Sequence, residues 1–433
     1  MRFAARGTVA ALLALLTAAP AAAQPGATGE PLMQTSAQCR NHDRPPPPID
    51  TSEEPKPGDP TPQPLPVPEE PVGGTRMGEC GLVLPTGAPE LPGAVNAAAW
   101  TITDVESGAV LAAKDPHARE RPASLIKVLL AIVVVRELRP EQVVKGTQED
   151  ANQEGTRVGI GPGGEYTVEQ LLNALLMRSG NDVAHALAGA LGGVDVALDK
   201  MNALAAELGA LDTRAATPSG LDGPGMSTSA YDVALIFREA MEHDEIAKAI
   251  STRSMPFPGY GERAGFQLYN DNRLWGAYQG FTGGKTGFTD SARHTYLGSA
   301  ERDGRRIAVV LLRGEPNPDP LSRQGALLLD YGFDLLTASQ KPVGELVTAA
   351  PNVQPKPDTG PTNATATPTV APPADGGDQQ AQPPAGERSA FGTYGMPLVV
   401  AAGLAILLGL ALFIRKKRAA RARAARAAAR ATA

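Results

Sequence analysis

The chain has 433 residues, with 40 basic and 46 acidic side chains and a net charge of −6. That length accommodates one large domain, or two ordinary ones, with appendages. Ten of the basic residues lie at the two ends, eight in the last 19 residues and two in the first 23, so the remainder carries 30 basic against 46 acidic groups, a net of −16. Such an acidic body argues against nucleic acid as a partner.

Residues 1–23 open with Arg2 and Arg6, continue through an apolar run from Val9 to Leu16, and end on Ala21-Ala22-Ala23. This layout predicts a secretory signal peptide cut after Ala23. Residues 24–92 are rich in proline, notably Pro45 to Pro48 and Pro60 to Pro71, and lack periodicity. They predict an extended exported arm. The two cysteines, Cys39 and Cys80, both fall in this arm. An even count outside the cytoplasm points to one disulfide, with two free thiols as the alternative.

A globular domain is expected over 93–340. Ala98 to Asp104 and Gly108 to Ala113 read as strands joined by a turn. A helix starts near Ser124 and continues through the apolar run Val128 to Val135. Thr167-Val168-Glu169-Gln170 is a capping box that opens a helix through Met177. Ser179-Gly180-Asn181 interrupts the helical pattern, which resumes to Ala190, again from Val194 to Leu208, and again from Ser227 to Ile250. Strands return at Phe281 to Thr289, His294 to Ala300 and Ile307 to Arg313, the last pair joined through Asp303-Gly304, a hairpin signal. A helix from Ser322 to Thr337 closes the domain. Strands at both ends with helices between them predict an α/β (α+β) fold: an antiparallel sheet flanked by helices, plus a helical lobe. A site is expected in the cleft between sheet and lobe.

Residues 341–395 are rich in Pro, Ala, Thr, Asp and Gly and predict a flexible tether. Met396 to Ile414 holds no charge in 19 residues, about 29 Å as a helix, and is followed by Arg415, Lys416, Lys417 and Arg418. This pattern predicts a transmembrane helix over 396–414 with a basic cytoplasmic tail at 415–433. The domain would then sit outside the cell membrane on a single span.

Three short elements carry the chemistry. Ser124 and Lys127 are three apart, so a helix places them on one face. A serine hydroxyl needs a base, and a lysine amine serves if its surroundings keep it neutral. Basic positions here default to arginine, 29 against eleven lysines, and Lys127 alone among the lysines has a serine three residues before it. A guanidinium cannot lose its proton, whereas an amine can. Ser179-Gly180-Asn181 offers a hydroxyl and an amide. Lys285-Thr286-Gly287 enters a strand after Gly283-Gly284, where Lys285 can hold a carboxylate or bias proton transfer and Gly287 lets a substrate lie close.

In this order, S-x-x-K, S-x-N and K-T-G resemble the signature of the serine penicillin-recognising acyl-transfer enzymes. Arg121 to Val128, Met177 to Asp182, Ala216 to Leu221, Ser227 to Asp232 and Gly283 to Asp290 extend the resemblance. The chain looks like a membrane-anchored D-alanyl-D-alanine carboxypeptidase of the low-molecular-mass penicillin-binding proteins, in its actinobacterial form. It departs from better-known carboxypeptidases of that group, since a tether and a span replace their β-rich stem and amphipathic anchor. The resemblance implies that Ser124 attacks the carbonyl between two terminal D-alanines of a peptidoglycan stem peptide, with Lys127 taking its proton. Ser179 would relay a proton to the leaving amine, and Asn181 would bind the substrate backbone. Lys285 would lower the proton affinity of its neighbours, and Thr286 would hold the terminal carboxylate. The N–H groups of Ser124 and Phe288 would form the oxyanion hole. A β-lactam would acylate Ser124, and no cofactor is implied.

Other readings remain. A class A β-lactamase shares the three elements but needs a glutamate followed shortly by Asn, a setting that Glu207-Leu208-Gly209-Ala210-Leu211 does not supply. A D,D-transpeptidase would pass the same acyl group to an amine, and a non-catalytic wall-binding protein would use the cleft without turnover. The histidines, His42, His117, His185, His243 and His294, lack metal-ligand spacing, which argues against a zinc peptidase and for no metal. Asp182, His185 and Tyr231 lie near the elements in sequence and are read as structural.

Overall fold

The computed structural model describes residues 39–350. In chain order its elements are β1 (Leu82–Val83), β2 (Ala99–Asp104), β3 (Ala109–Lys114), a short 3₁₀ turn (Ala123–Ile126), α1 (Lys127–Glu137), β4 (Val143–Lys145), α2 (Gln148–Ala151) and β5 (Glu165–Thr167). Then come α3 (Val168–Arg178), α4 (Asn181–Ala190), α5 (Val194–Leu208), α6 (Ala230–Met241), α7 (Asp244–Ser251), β6 (Ser254–Phe257) and β7 (Phe266–Tyr269). The domain ends with β8 (Phe281–Thr289), β9 (Arg293–Arg302), β10 (Arg305–Gly314), α8 (Leu321–Thr337) and β11 (Gly344–Glu345).

A seven-stranded antiparallel sheet runs β1-β3-β2-β10-β9-β8, with β11 also on β3. Its middle strands are apolar in an unbroken run, Ile307 to Leu312, because both faces are covered. Side chains still alternate. Ala308, Val310 and Leu312 join the core under the helical lobe, while Ile307, Val309 and Leu311 pack under α8 with Trp100, Leu328 and Tyr296. In the lobe, α1 is apolar all round and buried from Lys127 to Val134, as a central helix must be. This is the expected architecture, an antiparallel sheet between helices with a helical lobe.

Local signals act where the sequence put them. Thr167 accepts from the Gln170 amide (3.1 Å) and Gln170 Oε1 from the Thr167 amide (2.9 Å), closing the capping box. Asp303 and Gly304 take φ of 51° and 72°, the doubly positive turn that joins two twisted strands.

Several features differ from the sequence reading, among them the β4–β5 pair and α2, which it does not contain. The stretch expected as one helix from Ser227 is two, α6 and α7, divided at Glu242-His243. The hairpin β6–β7 was not anticipated, and Pro256 within it masks the strand pattern. At the front of the domain, β1 lies ahead of the expected start at 93. At its back, Val343 and Leu346 are buried and β11 pairs with β3, so the tether expected from 341 begins with a segment bound to the sheet.

The arm is fastened to the domain. Cys39 and Cys80 form a disulfide, with Cα atoms 5.3 Å apart. Buried Arg119 donates to the carbonyls of Asp43 (2.7 Å), Leu65 (2.6 Å) and Pro66 (3.0 Å) and to Asp212 Oδ1 (3.0 Å). Such a planar fork suits an extended segment with carbonyls to offer and few amides. The leader expected at 1–23, the rest of the expected tether, the apolar run 396–414 and the tail 415–433 all fall outside the described residues. Among the described residues no helix is long and apolar enough to cross a membrane.

Candidate active site

A cleft of 470 Å³ opens between β8 and the lobe, lined among others by Ser124, Ser179, Asn181, Thr286, Gly287 and Phe288. The three sequence elements, scattered over more than 160 residues, thus face one space. Each arrives on a different local device.

Ser124 sits on the 3₁₀ turn that runs into α1, just after Ala123, whose φ of 46° is unusual for a residue with a side chain. The turn presses against β8. A Cβ on Gly287 would meet Ser124 N at 2.8 Å, Ala123 Cβ at 3.1 Å and Thr295 Oγ1 at 2.4 Å, so only glycine lets the strand lie there. Gly220 does the same from the other side, with φ of 84° and room for a Cβ only 2.0 Å from Ala123 O.

Lys127 is fully buried. Its Nζ is 3.0 Å from Ser124 Oγ, 2.7 Å from Asn181 Oδ1, and in hydrogen-bond contact with the carbonyl of Ser219. A carbonyl and an amide oxygen can only accept. Both N–H groups of a neutral amine are spent on them, and the lone pair is left for the Ser124 hydroxyl proton. Burial, then the positive charge of Lys285, lower the Lys127 pKa well below that of a free lysine, against the pull of Asp182 and Asp271.

Ser179 caps α3 in the left-handed region (φ 64°). Its Oγ is buried and has no hydrogen-bond partner among the described residues, an unspent polar group facing the cleft. Asn181 begins α4. Its Nδ2 donates to Glu154 O (2.6 Å), which turns Oδ1 toward Lys127, so in this structure it orients the amine and keeps one N–H for a ligand. Asp182 supports this arrangement from behind. Its carboxylate accepts from the amides of Val158, Gly159 and Ile160, fixing the loop whose Thr156 carbonyl holds the Asn181 amide (2.7 Å). His185 bonds Asp150 (2.6 Å) and Tyr231 bonds Glu345 O (2.8 Å), both structural contacts.

On β8 the side chains alternate. Lys285 points inward, donates to Thr286 O (2.7 Å), and is brought by burial to a pKa of about 8, with Asp271 opposing. Thr286 and Phe288 face the cleft, and half-exposed Phe288 lies against His294, with ring centroids 4.7 Å apart.

Sequence reasoning missed several lining groups. The Ser219 carbonyl and Gly220 were within reach, because Pro218-Ser219-Gly220 is a turn signal. Gly155 and Thr156, Asp271 and His294 carry no local signal, and topology alone brings them here.

One His/Asp group could be mistaken for a metal centre: ligand atoms of His117, Asp212 and Asp232 lie within 4.8 Å of one another. His117 Nδ1 faces Asp212 Oδ2 (2.8 Å) and Nε2 faces the carbonyl of Val72 (2.9 Å). Burial opposes its charge, but the bond to Asp212 outweighs that and the pKa is raised. Both ring nitrogens thus face acceptor oxygens, and neither is turned to an open ligand position. With Arg119 on Asp212, this group is an internal ion network behind the arm.

A serine with a buried amine 3.0 Å away whose proton affinity is lowered, an unspent second hydroxyl, and a glycine strand edge against that serine's own amide form the arrangement of an active-serine acyl-transfer enzyme. Residues 86–315 match the D-alanyl-D-alanine carboxypeptidase (peptidase S11) family, and the chain belongs to that family of serine peptidases. It is 44% identical over 259 residues to D-alanyl-D-alanine carboxypeptidase DacB2 of Mycobacterium tuberculosis, covering 58% of this chain and 87% of that one. A crystal structure of a D-alanyl-D-alanine carboxypeptidase from M. tuberculosis H37Rv superposes with a TM-score of 0.58 at 42% identity, over 61% of this chain and all of that one. The DD-transpeptidase of Streptomyces K15 shares the fold, with a TM-score of 0.54 at 24% identity over 57% of this chain and all of that one.

Proposed function

We propose that this protein removes the terminal D-alanine from peptidoglycan stem peptides through an acyl-enzyme on Ser124. The observation that carries the reading is the Lys127 amine, buried, stripped of its usual affinity for a proton, and 3.0 Å from Ser124 Oγ. In the first half-reaction Lys127 Nζ takes the Ser124 proton as Oγ attacks the penultimate D-alanine carbonyl. The amides of Ser124 and Phe288 receive the oxyanion, a contribution of about 3–4 kcal/mol per donor in comparable sites. Ser179 Oγ passes a proton to the leaving amine, and D-alanine departs with its carboxylate held by Thr286 near the charge of Lys285. In the second half-reaction, water attacks the ester under the same base and oxyanion hole. A β-lactam carbonyl enters the same path and stays on Ser124, consistent with covalent penicillin binding in the family.

We also assign the protein to the outer face of the cell membrane. The support is the leader at 1–23 and the uncharged run at 396–414 followed by basic residues. Fractionation of cells expressing the full chain tests this, since recovery in the soluble fraction would overturn it.

The chemistry is tested by incubating the protein with a pentapeptide ending in D-Ala-D-Ala, with and without an acceptor amine. Release of free D-alanine is expected, and its loss together with fluorescent-penicillin labelling in Ser124→Ala. A dimeric product in place of hydrolysis would instead mark a transpeptidase, and labelling retained by Ser124→Ala would refute the nucleophile.

A further inference from the structure

The N-terminal arm touches both walls of the cleft, and none of the chemistry above uses it. Residues 119–121 run directly into Pro122-Ala123-Ser124. They are held between the arm and the lobe: the Arg119 amide donates to Asn41 O (2.8 Å), and Glu120 exchanges two backbone bonds with Thr228, each 2.8 Å. Arg121 is 2% exposed, and its guanidinium is gripped bidentately by Glu53 of the arm, Nη2 to Oε2 at 2.8 Å. Nη1 of Arg121 has no partner among the described residues, so this buried charge depends on Glu53.

Four residues earlier, the Ile49 amide donates to Ser291 Oγ (3.3 Å). Ser291 lies in the turn between β8 and β9, three residues beyond Phe288. The turn between the two contacts is itself ordered: Ser52 N bonds Asp50 Oδ1 and Glu54 N bonds Thr51 O, both at 3.0 Å. Pro45 to Pro48 stiffen the approach and Pro55 the exit. The two walls are also joined directly by Thr295 Oγ1 on Pro122 O (3.0 Å), and the β8–β9 turn by Arg313 on Ser291 O (3.2 Å).

We propose that the turn Ile49–Glu53 is a positioning element for the reaction. It clasps the leader of Ser124, through Glu53 and Arg121, to the turn after Phe288, through Ile49 and Ser291. It thereby sets the separation of the two amides that receive the oxyanion. The proposal rests on the assignment of those amides under the proposed function. Its physical basis is that a donor pair on two separate chain segments is only as well placed as the segments themselves, and a displacement near 1 Å is costly in rate.

The test is steady-state D-alanine release and the rate of fluorescent-penicillin acylation by the full chain, for the unaltered protein, Glu53→Gln, Ser291→Ala, and Lys56→Ala as a control on the exposed part of the arm. For Glu53→Gln, kcat and the acylation rate are expected to fall about tenfold. KM stays within about twofold and the pH profile keeps its shape, because Lys127 is untouched. Ser291→Ala is expected to give a smaller fall of the same kind, and Lys56→Ala none. A lowered melting temperature with unchanged kcat would make the arm a strap for stability alone and overturn the proposal. So would a rise in KM alone, which would mark a substrate contact. If Glu53→Gln does not fold, Ser291→Ala decides, and unchanged kcat there overturns the clasp. An inactive, unlabelled parent protein would instead refute the functional reading on which the clasp rests.

Discussion

Lys127 on α1 and Lys285 on β8 are buried amines from the two sides of the cleft, and burial, then the charge on the second, holds down the proton affinity of the first. The sign of this coupling is testable. A base works when neutral, so the acid limb of kcat/KM follows the Lys127 pKa. Lys285→Gln removes a neighbouring positive charge and raises that pKa. The limb is expected to move to higher pH, read from D-alanine release between about pH 5 and 9. A limb that stays put would place the titrating group elsewhere.

Lys127→Arg fixes a permanent charge at the position of the amine and removes the base. A guanidinium cannot be neutralised by burial in this way. Acylation by penicillin is expected to slow by about 10²–10⁴, the range for loss of a general base, measured by intact-protein mass spectrometry over time.

Gly287→Ala places a methyl 2.8 Å from the Ser124 amide and 2.4 Å from Thr295 Oγ1. Strand β8 must withdraw from the nucleophile. A loss of about 10²–10³ in kcat is expected, comparable to removing one oxyanion donor, with little change in KM. Gly189→Ala provides the contrast. It lies near the end of α4, exposed, with nothing within 4 Å of a new Cβ. It should stabilise the fold by about 0.5–1 kcal/mol, seen as a higher urea midpoint, and leave turnover alone.

Cys39→Ser with Cys80→Ser opens a link spanning 41 residues of sequence. Loop closure of that length gives a stability loss of about 2–4 kcal/mol, measured by denaturant titration. Equal stability with and without the link would show that the arm's hydrogen bonds alone hold it.

Much of this site is legible in the sequence because it depends on local spacing. Ser124 and Lys127 share a face by helical periodicity, and the capping box of Thr167 fixes the helix that ends at Ser179. Asp303-Gly304 announces the hairpin that sets β9 against β10. What stayed hidden depends on long-range meeting. The turn at Pro218-Ser219-Gly220 is a local signal, but its meeting with Lys127, 92 residues away, is not. The two-residue strands β1 and β11 are too short for a periodic signal, and composition placed them in linkers. How the arm attaches is not legible in the sequence, because its bonds run through backbone carbonyls that every residue possesses, and the side chain that collects them, Arg119, belongs to the domain.

The position of β11 bears on how the domain would carry load. Strand β3 takes β1 and β11 on its outer edge, whereas β8 lies at the opposite edge, beyond β2, β10 and β9. Tension applied to the chain beyond residue 350 would first load the Ala350 amide on Glu207 O (3.1 Å) and the Val347 amide on Tyr231 Oη (3.1 Å), and then peel a two-residue strand, together with the Tyr231–Glu345 bond, like a short strip of tape. Four intervening strands would stand between that seam and the strand facing Ser124. Along the sheet, such a pull would open the far edge before it reached β8.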